Sequence, residues 1–237
     1  MIRTIVLSAT YRQESKISDE LIKKDPNNRW YARSARVRLS AEQVRDQSLS
    51  ICGIMSSKMY GPSVFPYQPK GLWHSPYNST DWEQSAGEDQ YRRAVYTFWK
   101  RSAPYPSMFT FDGVARNMCA ARRIRTNTPL QALITLNDSA YIDMARHFAL
   151  EMRYKAGNDI TQQIRKGYEL ATYHSIDDNT LRAFTNLYDN ALARFKNDPE
   201  KTCMMVGGMG NNTTTEMAAL IVVANAILNL DELVTRN

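Results

Sequence analysis

Residues 128–157 read TPLQALITLNDSAYIDMARHFALEMRYKAG, and this stretch decides the fold class. Thr128-Pro129 sets a capping hydroxyl before a proline at the first helical position, where a missing N–H costs nothing. Leu130, Leu133, Ile134 and Leu136 follow at helical spacing. Asn137-Asp138-Ser139 then offers a break and a fresh cap. Beyond it Ile142, Ala145, Phe148 and Met152 carry one apolar stripe to Gly157. Two successive capped helices predict a mainly α protein.

The same punctuation recurs on either side. Downstream, Ile160, Ile164 and Tyr168 mark another helix. After Asp177-Asp178, the positions Leu181, Phe184, Tyr188, Ala191 and Phe195 predict an amphipathic helix over 178–196. Thr213 and Glu216 form a capping box ahead of the apolar run Met217 to Leu230, which predicts a buried last helix reaching about Leu233. That run is about 14 residues long and contains Asn225 and Asn229, too short and too polar to cross a bilayer. The two amides are expected to bind loop backbone. Upstream, Ser40 and Gln43 form another capping box, and Val44, Ile51, Met55 and Met59 share a stripe expected to end at Gly61-Pro62. The helices at 129–156 and 178–196 and the last helix are expected to pack together.

Residues 60–113 differ. They hold Pro62, Pro66, Pro69, Pro76, Pro104 and Pro106, and three of the four tryptophans, Trp73, Trp82 and Trp99. Prolines at this density forbid a long helix. Tyr91 to Trp99 reads as a strand, and the rest as ordered loop held by aromatic packing. The expectation is a single helical domain over 1–237 with an irregular, Pro- and aromatic-rich insertion containing one or two short strands.

Hydrophobic residues make up 43% and charged residues 23%, the balance of a globular chain rather than a disordered one. The net charge of +6 admits an anionic partner. The basic residues are not concentrated enough for a dedicated nucleic-acid domain, so no nucleic-acid partner is expected. Cys52, Cys119 and Cys203 lie far apart and form no CxxC, so each is expected to pack as a small hydrophobe. His74, His147 and His174 are isolated, and no metal site is expected. The start, MIRTIVLSAT, is not a signal peptide. Gly207, Gly208 and Gly210 make a flexible loop without the Lys-Ser/Thr of a phosphate loop.

Three groups carry possible chemistry. Arg122, Arg123 and Arg125 precede the Pro129 helix, with Arg116 nearby and no acid between 114 and 128. In one reading Arg125 and Arg123 share a side and, with Asn127 and the first helical N–H groups, hold a carboxylate, sulfate or phosphate. Arg122 then faces elsewhere and makes a structural pair. In the other reading the arginines pair with Asp112, Asp138 or other acids and clamp the loop. The aromatic insertion is the second group: Trp73 and Trp99 can stack on sugar rings, or the rings form a small core of their own. The third is Asp112 together with Arg45-Asp46, acid–base candidates that need a partner and a tuned pKa.

Several segments together are similar to a known family: Ser8 to Gln13; Asp25-Pro26-Asn27-Asn28-Arg29; Leu39 to Glu42 with Arg45-Asp46; Gly61 to Val64 with Pro66 to Pro69. Further on come Tyr91-Arg92-Arg93; Tyr96 to Arg101; Thr110-Phe111-Asp112; Arg125 to Leu133; and Ala224 to Glu232. They resemble the C-terminal domain of unknown function in planctomycete-type proteins that also carry a cytochrome-c-like domain. The resemblance implies an exported, multidomain parent located outside the cytoplasm, in the periplasm or at the cell surface. It implies that any haem belongs to an upstream domain, a partner within the same polypeptide, and that this chain holds no cofactor. The family domain would begin upstream of Met1, making the chain its C-terminal portion. No catalytic residues carry over. The expected role is a non-catalytic binding or scaffolding module with an anionic polysaccharide as candidate ligand. The alternative is an enzyme domain acting on a glycan through Asp112 and the Arg122–Arg125 cluster.

Overall fold

The computed structural model describes residues 1–69, 82–101, 104–114, 116, 118–208, 210 and 213–236. Their order is α1 (Ile2–Val6), α2 (Asp19–Lys24), β1 (Val37–Arg38), α3 (Ala41–Ile51), α4 (Pro106–Thr110), α5 (Pro129–Asn137) and α6 (Ser139–Ala156). The remainder is α7 (Ile160–Thr172), α8 (Asp178–Lys196), α9 (Pro199–Val206), α10 (Thr215–Leu228), α11 (Asp231–Val234) and β2 (Thr235–Arg236). The protein is mainly α, as the periodicity predicts.

The core is built round α10, which packs chiefly on α8 and α6. Met217, Ala218, Ala219, Ile221, Val223, Ala224 and Ile227 are each at most 1% exposed. A helix apolar on all sides must be enclosed, and here its neighbours enclose it. On α6, Ala145, Phe148, Ala149 and Met152 are wholly buried against it. Gly167 on α7 allows close approach: a Cβ there would lie 2.7 Å from Met152 Cε.

Caps set the helix ends. Asp138, Asp159, Asp177 and Asp198 accept N–H bonds at the starts of α6, α7, α8 and α9. α10 is capped by Thr214 rather than Thr213. α9 has no counterpart in the sequence reading, and Gly207 closes it at φ 68°. The apolar tail divides at Asn229-Leu230 into α10 and α11. Ser40 and Gln43 form the expected capping box of α3. That helix ends at Ile51, however, not at Gly61. The Ile54 N–H reaches the Leu49 carbonyl and the Gly53 N–H the Ser50 carbonyl, with Gly53 at φ 71°. This is a Schellman closure, and it puts Met55 and Met59 in loop.

The expected strand over Tyr91 to Trp99 is not formed. Residues 87–91 and 94–96 are 3-10 turns. Among the described residues Val64 bridges to this segment, its N–H meeting the Tyr96 carbonyl and its carbonyl the Phe98 N–H, both at 2.8 Å. β-formers need a neighbouring strand, and among the described residues none runs beside it. Arg92 buries itself here instead, as does Ala94, whose N–H is held by Asp46 at 2.6 Å. The two named strands lie outside the insertion: Val37 pairs with Arg236 and Arg38 with Thr235, antiparallel.

Within the insertion the rings form a core of their own. Phe65 meets Trp82 edge-on at 5.0 Å and Phe98 at 4.8 Å, and Trp82 stacks on Tyr105 at 5.9 Å. By contrast α1 and α2 bury no residue.

The caps make an acid-lability prediction. The side-chain hydroxyl of Thr180 and its N–H hold Asp177 below the usual carboxylate range, and Lys201 does the same for Asp198. The Trp30 N–H lowers Asp25. Burial raises Glu42, but the Arg123 guanidinium together with its own backbone N–H and the Ser40 hydroxyl outweigh it, and the net shift is down. A depressed folded pKa means that the stabilisation is complete above the ordinary value, 3.8 for Asp, and is lost as pH falls through the folded value. Burial raises Asp138, which works in the opposite sense. The urea midpoint should be level from pH 7 to about pH 5 and fall below about pH 4. A midpoint unchanged at pH 3 contradicts this.

Candidate functional site

The segment leading into α5 is pinned at its downstream end. Asp112 sits at φ 60°, a left-handed position, and both its oxygens accept from Thr126: the N–H at 2.7 Å and the hydroxyl at 3.0 and 2.9 Å. Gln131, 1% exposed, donates to the Thr110 carbonyl at 3.2 Å and accepts from Arg38 Nη2 at 2.9 Å. Asp112 is therefore a structural clamp, not a carboxylate facing open solvent. Gln131 completes the clamp, and nothing in the sequence pattern singles it out.

The arginines before the clamp are exposed but do not act alike. Arg123 Nη1 lies 2.8 and 2.7 Å from the two oxygens of Glu42 on α3. Arg125 Nη1 donates to the Arg38 carbonyl at 2.6 Å, and the side chain has no ion-pair partner among the described residues. Arg122 has no hydrogen-bond or ion-pair partner among the described residues. The expectation that Arg122 forms the structural pair is reversed, because Glu42 at the start of α3 draws Arg123 in. Asn127 is exposed beside them, and Thr128 caps α5 without a side-chain bond.

Trp99 is half-buried. Its ring carbon approaches to 3.0 Å of where a Gly113 Cβ would stand, and the Arg116 guanidinium lies over the ring at 5.4 Å. Trp73 lies outside the described residues. Cys52 is buried, and burial pushes its thiol well up, whereas Cys119 and Cys203 are exposed rather than packed. Among the described residues no group of three or more His, Cys, Asp or Glu could hold a metal, and no helix is long and apolar enough to cross a membrane.

A second site is built on Arg45, which the sequence offered only as half of an acid–base pair with Asp46. Arg45 on α3 is 4% exposed, and its Nη2 donates to the Gln90 carbonyl at 2.8 Å. It lines a cavity of about 330 Å³ between α3, the 84–91 segment and the first turns of α6, together with Tyr67, Tyr91, Ser139 and Asp143. The Tyr91 hydroxyl donates to Asp143 at 2.8 Å, and burial followed by that carboxylate pushes the phenol up. Asp46, its sequence neighbour, points the other way and caps the turn at Ala94.

The family model PSD1, protein of unknown function (DUF1553), matches residues 1–188. The chain belongs to the DUF1553 family. Within this DUF1553 chain the match takes in the arginine segment, its clamp and the Arg45 cavity, and ends inside α8. No curated protein and no solved structure matches it.

Proposed function

We propose that this DUF1553 chain is a non-catalytic binding module for an anionic polysaccharide, the C-terminal portion of a larger domain in an exported protein with a cytochrome-c-like domain upstream. One observation carries the reading: exposed Arg116, Arg122 and Arg125 stand on a segment without acids, anchored by the Asp112–Thr126 clamp. A guanidinium held at a fixed place binds carboxylate or sulfate by two parallel hydrogen bonds, with less entropy lost than on a free loop. The enzyme alternative through Asp112 has less support, since both oxygens of that carboxylate are engaged by Thr126.

Calorimetric titration with sulfated and neutral oligosaccharides tests the proposal. The wild type should bind the sulfated series alone, more weakly as salt rises. Arg122→Ala with Arg125→Ala should weaken binding roughly tenfold, since exposed charge pairs contribute up to about 1 kcal/mol each. Arg125→Lys should fall between, because the charge stays and the planar fork is lost. A folded double variant that binds as the wild type does would overturn the reading.

A further inference from the structure

We propose that the cavity lined by Arg45 is a site for a single carboxylated sugar residue, the uronic-acid type of unit found in anionic glycans. The proposal deepens the reading above and rests on it for the substrate class, but it uses different residues.

Arg45 is the starting point. Its guanidinium is nine-tenths buried and always charged, yet no carboxylate lies within ion-pair distance of it among the described residues. Its Nε is buried with no partner. A buried cation satisfied by one carbonyl is costly, and such groups are normally paired. Among the described residues Arg92 is buried too and its Nε is likewise unpartnered, but its Nη groups donate to three carbonyls and it stacks on Tyr96 at 3.9 Å. Arg45 borders open space instead.

The other lining groups narrow the ligand. Arg146 spends its Nε and Nη2 on the Met205 and Met204 carbonyls, at 2.7 and 2.8 Å. Asp143 lies 3.9 Å from Arg146 and is engaged by Tyr91. Arg45 and Arg146 line the cavity with Asp143, and the Asp138 carboxylate also interacts with Arg45 without coming within ion-pair distance of it. Arg45 would take a carboxylate. The hydroxyls of Ser139 and Tyr67 have no partner among the described residues and would take ring hydroxyls. Gln84, whose amide nitrogen is held by Gln90 at 2.8 Å, offers its carbonyl oxygen. The Tyr67 and Tyr91 rings supply apolar walls, the usual complement to a sugar's C–H face. About 330 Å³ lies at the small end of ligand cavities, room for one ring and not for a chain.

The test is titration of the full chain, followed by amide NMR, with glucuronate, glucose, acetate and inorganic phosphate. Glucuronate should bind, with shifts gathered at residues 139–144 and 84–91, and at least about tenfold more tightly than glucose. Ser139→Ala and Tyr67→Phe, which remove only hydroxyls and should leave the fold intact, should each weaken it about threefold to tenfold. No binding of glucuronate, or binding unaffected by both variants, overturns the proposal. Acetate or phosphate binding as tightly as glucuronate overturns the sugar assignment. Loss of glucuronate binding with sulfated-polymer binding retained sinks this site alone. The converse sinks only the polymer reading.

Discussion

Replacing Arg92 with Met should lower the unfolding free energy by about 3 kcal/mol and release the insertion from the helical core. Arg92 is 1% exposed, and its Nη groups donate to the carbonyls of Pro62, Lys58 and Tyr60. The Tyr96 ring beneath it adds a cation–π contact. Methionine restores the apolar volume but removes three hydrogen bonds, each contributing about 1 kcal/mol, whose carbonyl acceptors lie on the exposed residues Lys58, Tyr60 and Pro62. Lysine should not rescue, because one ammonium cannot span the three acceptors with a planar fork. Urea unfolding gives the loss, and amide exchange at Val64 and Phe98, whose N–H groups form the bridge, reports the local opening. A loss below about 1 kcal/mol, the level of an ordinary surface hydrogen bond, would show that Arg92 does not organise the insertion.

Phe148→Ala should cost about 3–5 kcal/mol, the range for emptying an aromatic position in a close-packed core. Phe148 is wholly buried on α6, the helix that packs on α10, α7 and α5. The cavity cannot collapse easily, since four elements would have to move at once. For a chain of this size that corresponds to a melting temperature lower by on the order of 10 °C. Tyr154 lies on the same helix at 85% exposed, and Tyr154→Ala should change stability by no more than about 0.5 kcal/mol. Equal losses for the two variants would contradict the placement of the core.

The helical half of the molecule was open to reading because its signals are local. Asp138 caps α6 from two residues away, and Asp177 caps α8 likewise. The stripe at Leu181, Phe184, Tyr188 and Ala191 is buried as its spacing predicts. The Asn225 amide nitrogen donates to the Leu136 carbonyl and Asn229 Oδ1 accepts from the Thr135 hydroxyl, so both reach the end of α5 rather than loop backbone, and Asn225 Oδ1 stays buried without a partner among the described residues. A sequence states that an amide needs a partner and does not state which helix end will be within reach.

The insertion and both candidate sites were decided at long range. Tyr91 to Trp99 has the composition of a strand, but composition cannot supply the neighbouring strand that a ladder needs. Arg45 and Asp46 are adjacent on α3, and Asp46 caps the turn at Ala94 while Arg45 enters a cavity formed with residues about 20 to 100 positions away. Arg122 and Arg123 are likewise neighbours, separated in role by Glu42. What the sequence by itself determined is the mainly α architecture, its caps and the buried last helix, because 3.6-residue periodicity and capping are properties of short windows. Only the tertiary structure decided which guanidiniums are spent on carboxylates and carbonyls and which remain to meet a ligand, because electrostatic and hydrogen-bond partners are chosen by proximity in space.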